Sequence, residues 1–141
     1  MALSKEEREQ FLAEPHIAAL AVTAGADRGP LVVPMWYQYA PGGDAWVLTS
    51  VGSRKAEAIE AAGRFTLMVE RVEPTIRYVS VEGPVVSKRP GTEEVLRELS
   101  ARYLPAEAVP GYVAMALAEH GEQVVYTLRP QRWVSSDLGT V

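Results

Sequence analysis

Short β-branched and aromatic runs recur along this chain, and most are closed by a turn rich in glycine or proline. That punctuation limits the chain to an antiparallel, hairpin-built β architecture. Residues 16–23 (H-I-A-A-L-A-V-T) end in the turn 24–29 (A-G-A-D-R-G). Residues 30–39 (P-L-V-V-P-M-W-Y-Q-Y) end at 41–44 (P-G-G-D), ahead of 45–49 (A-W-V-L-T). These spacings predict three strands in an antiparallel meander. Pro34 cannot donate to a ladder, so the middle strand is predicted at a sheet edge or a bulge. Residues 64–72 and 77–86 predict two longer strands around Glu73-Pro74-Thr75, and 122–128 and 131–136 the last two, bent at Arg129-Pro130.

Helices are marked by their own start and stop signals. Ser4-Lys5-Glu6-Glu7 fits the S-x-x-E capping box and predicts a short helix to about Glu14, stopped by Pro15. Residues 53–62 are helix formers ended by Gly63. Thr92 caps a predicted helix over 92–103; Pro105 and Pro110 break it before a second at 111–120, which Gly121 ends. Strands arriving as hairpins, with one short helix and one helical insert between them, predict a small antiparallel barrel rather than a doubly wound parallel sheet.

The length of 141 residues fits one domain over 1–141, with no linker or repeat to divide it. No apolar run approaches the ~20 residues of a membrane helix. A net charge of −4 and a pI near 5.2 argue against nucleic acid as a partner, which needs a basic face. Cysteine is absent, so disulfides, thiolate catalysis and Cys-ligated metals are excluded. The charged first ten residues do not resemble a signal peptide, and the expected location is cytoplasmic. His16 and His120 are the two imidazoles. A metal at His120 would need Glu119 and Glu122, a grouping better read as a solvated helix end, so no metal site is expected.

Chemistry concentrates in Thr49-Ser50-Val51-Gly52-Ser53-Arg54-Lys55, a strand running through glycine into a helix that opens on two adjacent cations. A helix N-terminus carries about half a positive charge, so basic residues there are disfavoured by roughly 0.3–1 kcal/mol each. A bound anion reverses that sign: first-turn amides, the hydroxyls of Thr49, Ser50 and Ser53, and the charges of Arg54 and Lys55 would together seat a phosphate. The alternative is that both cations point into water and Ser53 is an ordinary cap. Beside this segment, the proline-interrupted stretch from Val32 to Tyr39 carries Trp36, Tyr37 and Tyr39. Its free backbone and apolar side chains suit a planar heteroaromatic ligand; alternatively these aromatics are barrel core or a dimer contact. The common dinucleotide, P-loop, zinc-protease and hydrolase signatures are all missing. No catalytic side chain stands out, and any reaction is expected to be that of a bound cofactor.

Three segments resemble the flavin-binding split barrels related to pyridoxamine 5'-phosphate oxidase. The stretch 48–60 (L-T-S-V-G-S-R-K-A-E-A-I-E) is similar to the family's strand-loop-helix ending in S-R-K-A. The stretch 32–36 (V-V-P-M-W) is similar to the strand bordering the isoalloxazine ring, and 77–83 (R-Y-V-S-V-E-G) to an R-x-V-x-V-E-G strand. The resemblance implies a mainly β (α+β) antiparallel split β-barrel of about six or seven strands with flanking helices. It implies Arg54 and Lys55 as phosphate ligands, with Thr49, Ser50 and Ser53 lining the pocket. Val32, Val33, Pro34, Met35 and Trp36 would border the ring, and Tyr78 stands where the oxidases commonly have a glutamine. It further implies a homodimer with cofactor at the interface, where Trp133 of the second chain helps to complete each site.

Two departures count against oxidation of pyridoxamine phosphate. No arginine lies on the strand at Val32 or Val33, where the oxidases have one, and 137–141 (D-L-G-T-V) lacks the R-L-H-D-R substrate segment. The nearer likeness is to short members that bind the deazaflavin F420. The expected function is therefore an F420-dependent reductase passing a hydride from reduced deazaflavin to a small organic acceptor. Alternatives are an FMN-dependent oxidoreductase of the same fold, a non-catalytic F420 or flavin carrier, and a haem-binding split barrel, which would need a pocket-facing histidine. A basic path running beyond Arg54 and Lys55 would favour F420, whose phosphate continues into an acidic lactyl-glutamyl tail.

Overall fold

The computed structural model describes residues 1–140, with Val141 outside them. Helix α1 (Lys5–Ala13) starts at a complete capping box, in which the Glu7 amide donates to Ser4 Oγ at 3.1 Å and the Ser4 amide to Glu7 Oε1 at 2.9 Å. Strands β1 (Ala18–Val22) and β2 (Leu31–Met35) form the first hairpin, and β2 is an edge strand, as Pro34 requires.

The predicted meander is interrupted within residues 30–39. After Met35 the chain leaves the ladder, and Gln38–Tyr39 form a separate short strand, β3, that pairs with β4 (Ala45–Ser50) at the far end of the sheet path. The backbone at the crossing is satisfied by side chains instead of a neighbouring strand. The Tyr37 amide donates to Tyr103 Oη at 3.1 Å, and that hydroxyl reaches the carbonyl of His16 at 2.8 Å. The Tyr37 ring is fully buried, and its own hydroxyl donates to the Leu12 carbonyl at 2.6 Å. Burial first, and the neighbouring Tyr103 second, holds this phenol well above its ordinary pKa. Arg102 completes the knot by donating to the carbonyls of Ala13 and Glu14, both at 2.9 Å, which places a cation at the negative end of α1.

Helix α2 (Arg54–Ala62) runs from its Ser53 cap to Gly63, whose φ of 71° gives the left-handed ending that glycine tolerates. Strand β5 (Arg64–Arg71) leads to β6 (Ile76–Pro90), then α3 (Glu93–Tyr103), a 3-10 turn (Ala106–Ala108) and α4 (Val109–Glu119). Pro110 sits inside the first turn of α4 rather than breaking the chain before it, since that turn has no use for its missing amide. Strands β7 (Gln123–Leu128) and β8 (Arg132–Gly139) close the chain. The path is β2-β1-β5-β6-β7-β4-β3 with β8 on β6, every pairing antiparallel, so the split barrel has eight strands once the run 30–39 divides. Among the described residues, no helix is long and apolar enough to cross a membrane.

Strand β6 exceeds its predicted length because it serves both halves of the barrel. Residues 77–84 pair with β5, 76–82 also pair with β8, and 85–90 pair with β7. Strands β7 and β8 thus track one edge of β6 as nearly one strand, interrupted at residues 129–131. There the backbone presses onto Gly83, where a Cβ would stand 1.7 Å from the Arg129 carbonyl oxygen. The amides of Arg129 and Gln131 donate to the carbonyls of Pro84 and Glu82 on either side, at 3.0 and 2.9 Å.

Alternation along β4 and β7 separates two cores. Val47, Val124, Tyr126 and Leu128 face the barrel interior with Leu20, Leu67, Val81 and Ile59 of α2. Leu48 and Val125 face outward and are covered by Val95, Leu96 and Leu99 of α3 and Val113 and Ala116 of α4. The helical insert is therefore a lid on the outer face of β4 and β7. We expect Gly83→Ala to cost about 3 kcal/mol or more in urea unfolding, against about 1–2 kcal/mol for Gly63→Ala, where only the left-handed backbone objects.

Candidate functional site

Where α2 begins, a cavity of about 290 Å³ opens between the end of β2, the end of β4 and the helical insert. Pro34, Met35 and Trp36 form one wall, Thr49, Ser50 and Lys55 another, and Leu96, Leu99, Ser100 and Tyr112 of the insert a third, with His120 and Gln123 at the rim. Six of the residues singled out in the sequence thus meet in one space. Its volume lies at the lower edge of the ~300–1,000 Å³ usual for ligand pockets.

The cationic end is built by local structure. Ser53 Oγ accepts from the Ala56 amide at 3.2 Å and also meets Thr49 Oγ1 at 3.2 Å. Ser50 Oγ donates to the His120 carbonyl at 3.3 Å, and Thr49 is buried. In this structure the three hydroxyls brace the strand-to-helix turn, and Ser53 is an N-cap. The groups left over are cationic: Arg54 and Lys55 form no ion pair and no side-chain hydrogen bond among the described residues. They diverge, however. Lys55 is half-buried on the cavity beside Thr49, whereas Arg54 is exposed and faces a second cleft across α2.

The opposite wall is stiff. The Trp36 ring stacks on Tyr103 with centroids 4.7 Å apart and planes 12° apart, and Tyr112 tilts against the same Trp36 ring at 5.3 Å. Tyr37 and Tyr39, grouped with Trp36 by sequence proximity, turn into the barrel core instead. An unpaired ammonium at one end and an apolar, aromatic-backed strand edge at the other form a donor set that fits a planar group carrying a phosphate.

The remaining singled-out residues lie elsewhere in the protomer. Val33 points inward against the core, while Val32 is 59% exposed on the outer face of the sheet. Tyr78 is on that same outer face, between Glu70 and Ser136. Trp133 points inward, edge-on to Tyr39 at 6.2 Å and beneath the Arg8 guanidinium at 4.7 Å. The insert residues lining the cavity were not foreseen. Leu96 and Leu99 stand three residues apart on α3, a spacing that marks one face of a helix but not the sheet face it covers. Among the described residues no group of three or more His, Asp or Glu is gathered as a metal site.

The family model described as pyridoxamine 5'-phosphate oxidase matches residues 4–136. The fold is similar to that of an F420 reductase, with a TM-score of 0.71 at 23% identity over 89% of this chain and 94% of that one. It is also similar to an FAD-binding protein from Mesorhizobium loti, with a TM-score of 0.61, 18% identity and coverage of 97% and 95%. A heme-binding protein from Mycobacterium smegmatis aligns at a TM-score of 0.63 and 20% identity, over 99% of this chain and 59% of that one. No curated protein matches the chain.

The division of labour at the turn is open to a direct check. Ser53→Ala is expected to lower stability by about 1 kcal/mol through loss of the cap, whereas Lys55→Ala stays within about 0.5 kcal/mol of the parent, both read by urea unfolding.

Proposed function

The chain belongs to the pyridoxamine 5'-phosphate oxidase family, and from that premise we propose that it is an F420-dependent reductase acting on a small organic acceptor. The observation that carries this reading is the meeting of Lys55, unpaired and half-buried, with the Pro34–Trp36 strand edge in one cavity. When bound, the reduced deazaflavin supplies the hydride. The chain's own part is binding and orientation. Lys55 and the first-turn amides of α2 would hold the phosphate, with Arg54 adding positive charge from the other side of the helix start, and the backbone of β2 would border the ring. Trp36, stacked on Tyr103, stiffens the wall against which the ring lies, and the apolar insert residues Leu96 and Leu99 exclude water from it. FMN carries the same phosphate and ring, and is the alternative cofactor; binding without turnover is the alternative role.

A second copy of the chain completes the site in this proposal. Pro34, Ala19, Met68, Ser80 and Val134 are register partners across five strands and form one outward row, with Val32 and Leu138 exposed beside it. Pro34 belongs both to that row and to the cavity wall, so a copy seated on this face closes the cavity's open side. That face also presents Tyr78, whereas Trp133 stays with its own core.

Two measurements test the proposal. Titration of the protein with F420 and with FMN, followed by fluorescence, is expected to show F420 held more tightly. Arg54→Ala/Lys55→Ala should weaken binding by roughly tenfold or more, since each charge-assisted contact is worth ~1.5–3 kcal/mol; unchanged affinity removes the assignment. Sedimentation should give a dimer that Val134→Lys shifts toward monomer, and a dimer indifferent to that change would place the interface elsewhere.

A further inference from the structure

A space of about 330 Å³ that shares no lining residue with the cofactor cavity lies between α1, the turn joining β3 to β4, and the crossing from β7 to β8. Five charged side chains meet there: Lys5, Arg8 and Glu9 from α1, Asp44 from the turn and Arg129 from the crossing. Lys5, Arg8 and Glu9 stand at i, i+3 and i+4, so one helix face presents both signs of charge to the same space. None of the five forms an ion pair among the described residues. Elsewhere the protein pairs its charges closely, as where Arg77 Nε donates to the Asp137 carboxylate at 2.9 Å.

Two of the five are fixed by their surroundings. The Arg8 guanidinium lies over the Trp133 ring, 4.7 Å from its centroid, and its Nε is buried without a hydrogen-bond partner. Stacking sets the plane of the guanidinium and leaves its outer N–H groups for a carboxylate. Glu9 is 8% exposed, and its Oε1 would stand 4.0 Å from a Cβ at Gly42 in the turn. Burial, and then the Glu9 carboxylate, push the Tyr39 phenol up to about 12, so this neighbour is neutral and offers Glu9 no compensating charge. A buried carboxylate without a cationic partner is costly, and a bound cation relieves it.

The two signs together decide the occupant. A plain carboxylate approaching Arg8 and Lys5 is repelled by Glu9, and a plain amine approaching Glu9 meets three cations. A molecule that carries a carboxylate and an ammonium on one carbon answers both. We propose that this cavity binds a small α-amino acid, with Arg8 and Lys5 taking its carboxylate and Glu9 its ammonium. The side chain is small because Arg8 covers the face of Trp133 and Tyr39 is buried edge-on to that ring, which leaves little apolar surface for a longer one.

The test uses the intact protein and three probes of one shape: L-alanine with both charges, propionate with the anion alone and ethylammonium with the cation alone. Binding is read from the indole N–H signal of Trp133 in proton–nitrogen correlation spectra, assigned with Trp133→Phe. L-alanine should shift that signal saturably while those of Trp36 and Trp46 stay in place. Propionate and ethylammonium should each bind roughly tenfold more weakly or worse, since each lacks one charge-assisted contact. Arg8→Gln and Glu9→Gln should each weaken L-alanine by roughly tenfold or more. Lys5→Gln, at an exposed position, should weaken it by roughly two- to fivefold, and it decides the matter where the other two variants do not fold. Propionate held as tightly as L-alanine overturns the amino-acid site in favour of a simple anion site. An unmoved Trp133 signal, or an L-alanine affinity unchanged by Lys5→Gln or by a folded Arg8→Gln or Glu9→Gln, overturns the site altogether.

Discussion

The contact between Gly83 and the Arg129 carbonyl is the point on which the barrel turns. One 15-residue strand, β6, hydrogen-bonds along its first half to β5 and β8 and along its second half to β7. The two sheets can part only if the β7–β8 strand steps across β6 without losing its hydrogen bonds. Missing side-chain volume at Gly83 lets Arg129–Gln131 make that step against bare backbone, with amides bonded on either side. A residue with a Cβ would push the crossing outward and break the shared edge. The two cores, and the lid on the outer one, follow from that parting.

A second constraint sits at the other break. When the chain leaves β2 it abandons its ladder partners for two residues, and buried amides and carbonyls without partners are costly. Tyr103 of α3 supplies partners there, its hydroxyl accepting from the Tyr37 amide and lying within reach of the Tyr37 carbonyl, so the helix that satisfies the crossing is also the one that walls the cavity. Site and fold therefore share residues. Trp36 stands where it does because Tyr103 stacks on it, and Tyr103 is there because the crossing needs a hydroxyl.

The electrostatics of α2 follow the same economy. The hydroxyls of Thr49, Ser50 and Ser53 close the turn on itself, leaving the two cations uncompensated at the positive end of a helix. Their opposite directions put Lys55 on the cavity at the strand edge and Arg54 on the cleft beside the hairpin loop with Arg28. The outer sheet row through Pro34 reaches the first of these, so a second copy seated on that row, as proposed, would meet the same place.

Elements with local causes were legible in the sequence. The capping box at Ser4, the caps at Ser53 and Thr92, the Gly63 stop and the turns after Val22 and Tyr39 are dictated within a few residues, and so were readable from order alone. The unfavourable Arg54-Lys55 pair was readable for the same reason. What the tertiary structure decided depends on contacts between residues far apart. Tyr37 and Tyr39 went to the core because Leu12 and Trp133 lie there, and residues 30–39 divided because Tyr103, sixty-six positions beyond Tyr37, completes the hydrogen bonding of the crossing. Arg28 joined Arg54 because a hairpin loop folds back over a helix. Periodicity along the chain specifies which face of an element is apolar; only packing specifies what that face meets.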